Sequence, residues 1–318
     1  MALKERVLAG GRLRILIYVA SQLVAWCMAL LTIRFLKPED YGVMAVGAVV
    51  IAAGTVIAAL GLPIYMVQTP RIRRDLLRRI AGVLVISFVT MAALVAIAAP
   101  FAADFLEMPA LEPVLFILSA CLVVRAFSIA PSTWLQRVIK FREVAVLESS
   151  AMIASAGLGL ALAIEGYGAL ALAGKEVAAV TISAGLGMWM TRGRLFPEFR
   201  LAGLREPLRF GFRVTVRNML QIIQINADRL IIARMFGAEA LGIYSLGTAI
   251  GRIVPRLVMT PISRIVLPAL SRLGALDPRR ATYFMRGTGL LAFVFFPAAG
   301  AVHWLRLRLS LWHSGRPG

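Results

Sequence analysis

Apolar stretches of roughly 20 residues alternate with short polar segments along most of the chain. A helix of that length crosses the hydrocarbon core of a bilayer, which is about 30 Å thick. Lipid offers backbone groups no water, so these segments must be helices, and they are too continuously apolar for barrel strands. The pattern predicts spans over residues 13–33, 41–67, 80–103, 113–135, 144–164, 167–190, 214–236, 240–268 and 284–305.

Composition supports the same fold class. The chain is 60% hydrophobic, and its mean hydropathy of +0.82 is far above that of an ordinary soluble domain. We therefore expect an all-α polytopic membrane protein with about nine transmembrane helices. The expected architecture is one complete six-helix lobe followed by a partial second lobe.

The net charge of +19 could indicate a nucleic-acid partner, but the placement of the charges argues against it. The N-terminal segment and every second connection after it carry 22 Lys and Arg residues. The connections on the other side carry only Arg34, Lys37 and Arg234. This asymmetry follows the positive-inside rule, so we expect a cytoplasmic N-terminus and no nucleic-acid partner.

The chain also repeats itself about 200 residues apart. Residues Arg34–Gly47 read RFLKPEDYGVMAVG, and residues Arg234–Gly247 read RMFGAEALGIYSLG. Six predicted spans separate the two copies, an even number, so both copies cross the membrane in the same direction. Parallel repeats of this kind build membrane transporters. Without a gap, the repeat aligns Arg34 with Arg234, Glu39 with Glu239, Gly42 with Gly242 and Gly47 with Gly247.

The repeat predicts four parts of the chain. Residues 1–190 form an N-terminal six-helix lobe, 191–213 a basic cytoplasmic linker, and 214–302 an incomplete second lobe. Residues 303–318 form an atypical tail that holds both histidines. We expect the tail to reflect truncation or a frameshift of a longer gene; an amphipathic tail on the membrane surface is the alternative.

Residues that could carry enzyme chemistry are scarce. Cys27 and Cys121 lie inside predicted spans without metal-ligand spacing, and His303 and His313 lie in the tail. The sequence assembles no Cys/His cluster, phosphate-binding loop or Ser-His-Asp order. We therefore expect no enzyme activity, no metal site and no cofactor.

Polar residues inside the spans are the best candidates for function, because they are costly in lipid and usually face a cavity or another helix. Arg217, Gln221, Gln224 and Asp228 are spaced four, three and four residues apart. This spacing places all four on one face of a helix. We name these four residues the polar stripe and expect it to face a polar interior. For Arg217, near the inner end of its span, snorkelling to the membrane interface is the alternative.

Buried cations form a second group of candidates. Arg125, Arg252 and Arg256 lie inside predicted spans, where few carboxylates accompany them. A structural ion pair is one interpretation of each arginine; a cavity that binds an anionic substrate is the other, and we favour it. Guanidinium groups match phosphate oxygens bidentately.

Several segments together resemble a known family. They are RFLKPEDYGVMAVG after the first span, LQRVIKFR after the fourth, NADRLIIARMFGAEALGIYSLG at the seventh and PISRIVLPALSRL at the eighth. The chain resembles bacterial polysaccharide flippases that export O-antigen and other lipid-linked oligosaccharides, within the multidrug/oligosaccharidyl-lipid/polysaccharide superfamily. The resemblance implies two six-helix lobes around a central cavity in the bacterial inner membrane. It further implies transfer of an undecaprenyl-diphosphate-linked oligosaccharide from the cytoplasmic to the periplasmic leaflet.

Two alternatives remain open at this stage. A multidrug exporter of the same superfamily has the same architecture, but such exporters rely on intramembrane carboxylates, which are few here. A non-functional fragment is the other alternative, because an incomplete second lobe does not readily enclose a cavity. The sequence gives no indication of the oligomeric state.

Overall fold

The computed structural model describes residues 20–69, 72–138, 141–193, 195–200 and 202–251, with three isolated positions nearer the C-terminus. These residues form helices and connecting segments without a β-strand. Six of the helices are long and apolar enough to cross a membrane, which confirms the expected all-α polytopic fold class. The helices are α1 (Ala20–Ile33), α2 (Pro38–Ala59), α3 (Leu62–Gln68), α4 (Arg74–Leu106), α5 (Leu111–Arg137), α6 (Phe141–Ile164), α7 (Ala169–Met190) and α8 (Arg205–Gly251).

The chain divides into two compact units, Met1–Ser245 and Leu246–Gly318. In the first unit, α5 packs against α4 and α7, and α7 packs against α6. Its core is a layer of apolar side chains shared by α3, α4 and α5, including Leu62, Leu84 and Leu122. In the second unit, the described residues are the last turns of α8 and the isolated positions. The expected division into parts at residues 190 and 213 remains a prediction.

One expected span is broken in two. The sequence predicts a single helix over 41–67, but α2 ends at Ala59 and α3 begins at Leu62. Between them, Leu60 and Gly61 adopt left-handed backbone conformations, with φ of 50° and 62°. Pro63 accounts for the break, because proline lacks an N–H and its ring clashes with the carbonyl four residues earlier. A guanidinium from α5 completes the end of α3: Arg137 donates to the carbonyl of Thr69 at 2.7 Å.

The basic segment before α8 lies along the start of α4. The backbone N–H of Glu198 donates to the carbonyl of Arg78 at 2.9 Å. Arg79 donates to the carbonyl of Ala202 at 2.9 Å and lies 3.7 Å from the Glu198 carboxylate. At Gly82, a Cβ atom would lie only 2.3 Å from the Glu198 carbonyl oxygen, so glycine permits this contact. α8 then begins at Arg205, inside the expected linker.

A sharp turn divides α8 into two helical arms. Gly237 adopts φ 79° and ψ −175°, values outside the helical region. Asp228 precedes Gly237 and Tyr244 follows it, and the Tyr244 hydroxyl donates to the Asp228 carboxylate. Sixteen residues of straight helix would separate these side chains by about 24 Å, so the bond requires the chain to reverse at Gly237. The predicted separation of spans 214–236 and 240–268 matches this turn.

The two copies of the internal repeat meet at equivalent residues. A Cβ atom on Gly42 would lie 1.8 Å from the carbonyl oxygen of Ala238, and one on Gly242 would lie 1.7 Å from that of Pro38. Residues 38 and 238 are equivalent in the repeat, as are 42 and 242. The contact is therefore reciprocal, like a two-fold symmetric interface. Glycine is required on both sides because any side chain would overlap backbone atoms.

Candidate substrate-binding site

The first arm of α8 carries the polar stripe. The arm is helical through all four residues, so the structure places them on one continuous helix, as the spacing predicts. Arg217, Gln221 and Gln224 are exposed, and Asp228 is partly buried. Apolar neighbours in the same stretch are exposed as well, including Leu220 and Ile223. Of the candidate membrane spans, α8 has the smallest buried share, so its polar stripe and its apolar neighbours are both exposed in the described part of the chain.

The C-terminal end of the stripe is organised by hydrogen bonds. Asp228 accepts from Tyr244 and from the backbone N–H of Arg229, the latter at 2.9 Å. Arg229 donates to the side-chain oxygen of Asn226 at 3.3 Å, and Asn226 donates to the Ile222 carbonyl at 2.9 Å. These contacts fix the carboxylate at the reversal of the chain. Gln221 and Gln224 have no hydrogen-bond partner among the described residues, so their amides are available to a ligand.

Arg125 lies elsewhere in the first unit, in the middle of α5. Its guanidinium lies 3.9 Å from the carboxylate of Glu176 on α7. Its Nε is buried without a hydrogen-bond partner among the described residues. It also lines a cavity of about 250 Å³ with Glu148 and Ser183. Arg125 thus forms an ion pair with Glu176 and also lies beside a cavity, and its expected role in binding an anionic substrate stays a prediction.

The structure therefore brings together some of the expected site residues. Arg217, Gln221, Gln224 and Asp228 share α8, and none of these four lines the cavity beside Arg125. Arg252 and Arg256 lie outside the described residues. The role of all seven residues in substrate binding remains a prediction.

The sequence did not predict that Tyr244 and Arg229 form hydrogen bonds to Asp228 of the polar stripe. Tyr244 is sixteen residues from Asp228, a separation that no helical spacing rule connects. Gly237 between them was the available signal, since a glycine between two apolar stretches favours a chain reversal. The pairing of Arg125 with Glu176 also joins two different helices, so no local spacing predicts it.

Comparison with known proteins places the chain in a family. Residues 31–307 match the family described as polysaccharide biosynthesis protein, which is most of the chain. The chain belongs to this family. The match confirms the resemblance to polysaccharide flippases seen in the sequence and identifies a multi-pass membrane protein of polysaccharide biosynthesis.

Two curated relatives share low sequence identity with this chain over most of its length. It is 23% identical over 305 residues to the lipopolysaccharide biosynthesis protein WzxC of Escherichia coli K12, covering 94% of this chain and 61% of WzxC. It is 20% identical over 301 residues to an uncharacterized membrane protein in the cps region of Klebsiella pneumoniae, covering 94% of this chain and 62% of that protein. The chain therefore spans about three fifths of these relatives' length.

A third match covers a shorter stretch of the chain. Over 100 residues, 31% of this chain, it is 33% identical to the teichuronic acid biosynthesis protein TuaB of Bacillus subtilis 168, covering 20% of TuaB. No solved structure matches the sequence significantly. WzxC and TuaB are named for different polysaccharides, so the comparisons support the polysaccharide class rather than one glycan.

Proposed function

We propose that the protein transfers an undecaprenyl-diphosphate-linked oligosaccharide from the cytoplasmic to the periplasmic leaflet of the bacterial inner membrane. The polar stripe on α8 carries the proposal. It is an exposed row of amides and charges on a helix of membrane-spanning length, in a chain of a polysaccharide biosynthesis family. Lipid does not tolerate such a face, whereas a hydrated glycan offers hydroxyls that pair with amide groups.

In this mechanism the glycan and the lipid anchor take different paths. The glycan passes along Gln221 and Gln224, whose amides both donate and accept hydrogen bonds. The diphosphate pairs with arginines, for which Arg125, Arg217, Arg252 and Arg256 are the candidates. The polyprenyl tail stays in the bilayer throughout. In this mechanism the site forms hydrogen bonds with glycan hydroxyls and breaks no covalent bond. The protein therefore acts as a transporter and not as an enzyme.

The family match also favours glycan transport over the export of cationic drugs. The arginines among the candidate residues suit a diphosphate and repel a cation. The positive-inside asymmetry supports a cytoplasmic N-terminus and an inner-membrane location.

Deleting the gene in its host tests the proposed function. If the protein is the flippase, surface polysaccharide is lost and its undecaprenyl-diphosphate-linked precursor accumulates, which mass spectrometry of extracted lipids measures. Restoring the gene reverses both changes. An unchanged lipid-linked pool together with unchanged surface polysaccharide would overturn the proposal.

A double substitution tests the stripe itself. Gln221→Leu with Gln224→Leu removes both amides while keeping helix-forming residues. We expect a loss of surface polysaccharide of about tenfold or more, because the glycan hydroxyls lose both amide partners. Gln68→Leu is the matched control, because Gln68 is an exposed glutamine on α3 outside the stripe. Equal transport by the double variant and the control, at equal membrane abundance, would exclude the stripe from the pathway.

A further inference from the structure

Residues 195–200, which we name the connecting segment, lie against the first turns of α4. The Arg78 Nε donates to the carbonyl of Phe196 at 3.3 Å, and the Glu198 N–H donates to the carbonyl of Arg78 at 2.9 Å. Leu195 is buried in the apolar core that α4 shares with its neighbours. These contacts fix the backbone of the connecting segment at one height along α4.

That height is the level at which α4 enters the hydrocarbon core. Residues 80–103 contain no charged side chain. At 1.5 Å per residue they extend about 36 Å, enough to cross roughly 30 Å of hydrocarbon. Because the connecting segment is bonded to Arg78, just before this apolar stretch, it lies at the boundary between lipid headgroups and acyl chains.

Exposed aromatic rings lie at the same boundary. Phe196 and Phe199 are 60% and 64% exposed, and Trp189, at the end of α7, is 75% exposed. The end of α7 reaches the connecting segment, because Met188 lines one small pocket with Phe196 and with Ala81 of α4. Aromatic side chains favour the membrane–water interface, where the ring contacts acyl chains. We therefore expect lipid to cover these rings.

The surface around the rings is basic. Residues 73–79 and the connecting segment together carry five arginines and two carboxylates, which leaves a net charge of +3. Arg74 and Arg78 are exposed and four residues apart, so they share one face of α4. Arg200 is exposed at the end of the connecting segment, where it lies 3.9 Å from the Glu198 carboxylate. A partner of this surface is therefore expected to be anionic.

We propose that the start of α4 and the connecting segment bind an anionic phospholipid of the adjoining leaflet. The guanidinium groups of Arg74, Arg78 and Arg200 pair with the phosphate oxygens, and the acyl chains cover the phenylalanine rings. A free phosphate would match the charge but leave the rings exposed. An acidic soluble protein would match the charge but not the depth. The inference does not depend on glycan transport, because none of the candidate substrate-binding residues belongs to this surface.

Lipid selectivity of the purified chain tests the inference. The chain is delipidated in a neutral detergent, and native mass spectrometry measures its binding of dioleoyl phosphatidylglycerol and of dioleoyl phosphatidylcholine. These lipids have the same acyl chains and differ in headgroup charge. We expect phosphatidylglycerol to bind about tenfold more tightly or more. Equal affinities would overturn the inference, and they are the result expected of a surface that docks an acidic protein.

A competition experiment separates a lipid from a free phosphate. Glycerophosphoglycerol is the headgroup of phosphatidylglycerol without its acyl chains. We expect it to leave the bound lipid in place at equal concentration, because it makes no contact with the phenylalanine rings. Displacement of the lipid at equal concentration would show a site for free phosphate compounds and would contradict the proposal.

A double substitution locates the surface. Arg74→Gln with Arg200→Gln removes two positive charges, and we expect the preference for phosphatidylglycerol to fall about tenfold or more. Arg34→Gln with Lys37→Gln is the matched control, because it removes the same charge from exposed positions between α1 and α2. An equal effect of the two double variants, or none in the first, would exclude this surface.

Glu198→Gln tests the opposite direction. The Glu198 carboxylate lies 3.7 Å from Arg79 and 3.9 Å from Arg200, so it competes with a phosphate for these guanidinium groups. Removing its charge should strengthen phosphatidylglycerol binding about threefold or more and leave phosphatidylcholine binding unchanged. Misfolding does not produce such a gain. Unchanged or weaker phosphatidylglycerol binding would count against the proposed surface.

The lipid-binding and transport proposals can fail separately. The binding assay contains no glycan lipid, so its failure leaves the proposed flippase function intact. Failure of the gene-deletion experiment likewise leaves phospholipid binding to be judged by itself.

Discussion

At the scale of single residues, the hydrogen bond from Tyr244 to Asp228 joins the two arms of α8 at their reversal. Both side chains are partly buried, and a hydrogen bond to a charged group contributes more than one between neutral groups. By contrast, the ion pair between Arg234 and Glu107 is largely exposed, although its atoms lie 2.8 Å apart. Exposed pairs contribute little, so we expect Tyr244 to be the more important of the two contacts for stability.

Tyr244→Phe removes the donor hydroxyl and little else. We expect it to lower the free energy of unfolding by about 1.5–3 kcal/mol, because the partly buried carboxylate loses a charge-assisted bond. Denaturation in mixed detergent, followed by circular dichroism, measures the change. Tyr167→Phe is the control, since Tyr167 is exposed in the α6–α7 turn, and it should change stability by less than about 0.5 kcal/mol. Equal effects of the two substitutions would show that the contact does not hold the reversal.

At the scale of helices, the close contact between the repeats depends on Gly42 and Gly242. Both glycines lie against a backbone carbonyl of the other copy, so neither position has room for a methyl group. α2, which contains Gly42, begins with Pro38, and the Lys37 backbone N–H donates to the Asp40 carboxylate at 2.9 Å, which fixes its first turn. The start of α2 is therefore held rigidly where the second copy meets it.

Gly42→Ala and Gly242→Ala should separate the two copies. Each adds a Cβ atom within 2 Å of a carbonyl oxygen, so we expect a loss of about 1–3 kcal/mol in the free energy of unfolding. Gly157→Ala, in α6, is the control: nothing lies within 4 Å of its Cβ, and alanine favours helix over glycine by about 1 kcal/mol. Unfolding in detergent compares the three variants. Equal stability of all three would show that the repeats are not in close contact at these glycines.

At the scale of the whole molecule, hydrophobicity predicts helices more completely than it predicts contacts. The spans expected over 80–103 and 113–135 fall within α4 and α5, because membrane thickness sets their length. The break at Leu60 and Gly61 was missed, although Pro63 indicates it, because both halves are equally apolar.

The candidate site was less predictable than the helices. The stripe on α8 follows from helical period alone, whereas Arg125–Glu176 and Tyr244–Asp228 depend on how separate helical segments pack. Residues far apart in sequence meet only through that packing, and the spacing of residues along one helix carries no information about it. Only the folded structure brings the separate polar residues of α5, α6 and α7 together as one cavity wall.

Orientation in the membrane is the remaining property of the whole chain that charge alone predicts. The positive-inside rule places the turn between α6 and α7 in the periplasm and the segment before α8 in the cytoplasm. Both contain exposed residues suited to labelling, Glu165 in the turn and Arg200 in the segment. The native cysteines lie within α1 and α5, so an aqueous reagent should react with them slowly.

Glu165→Cys and Arg200→Cys, introduced separately, test this orientation. A membrane-impermeant maleimide added to intact spheroplasts should label the first variant and leave the second unlabelled. After the membrane is permeabilised, both should react, which controls for accessibility of each position. The unsubstituted chain gives the background from Cys27 and Cys121. Labelling of Arg200→Cys alone in intact spheroplasts would show the opposite topology. The arginine-rich loops would then face the outside of the inner membrane, which would contradict the expected direction of glycan transfer.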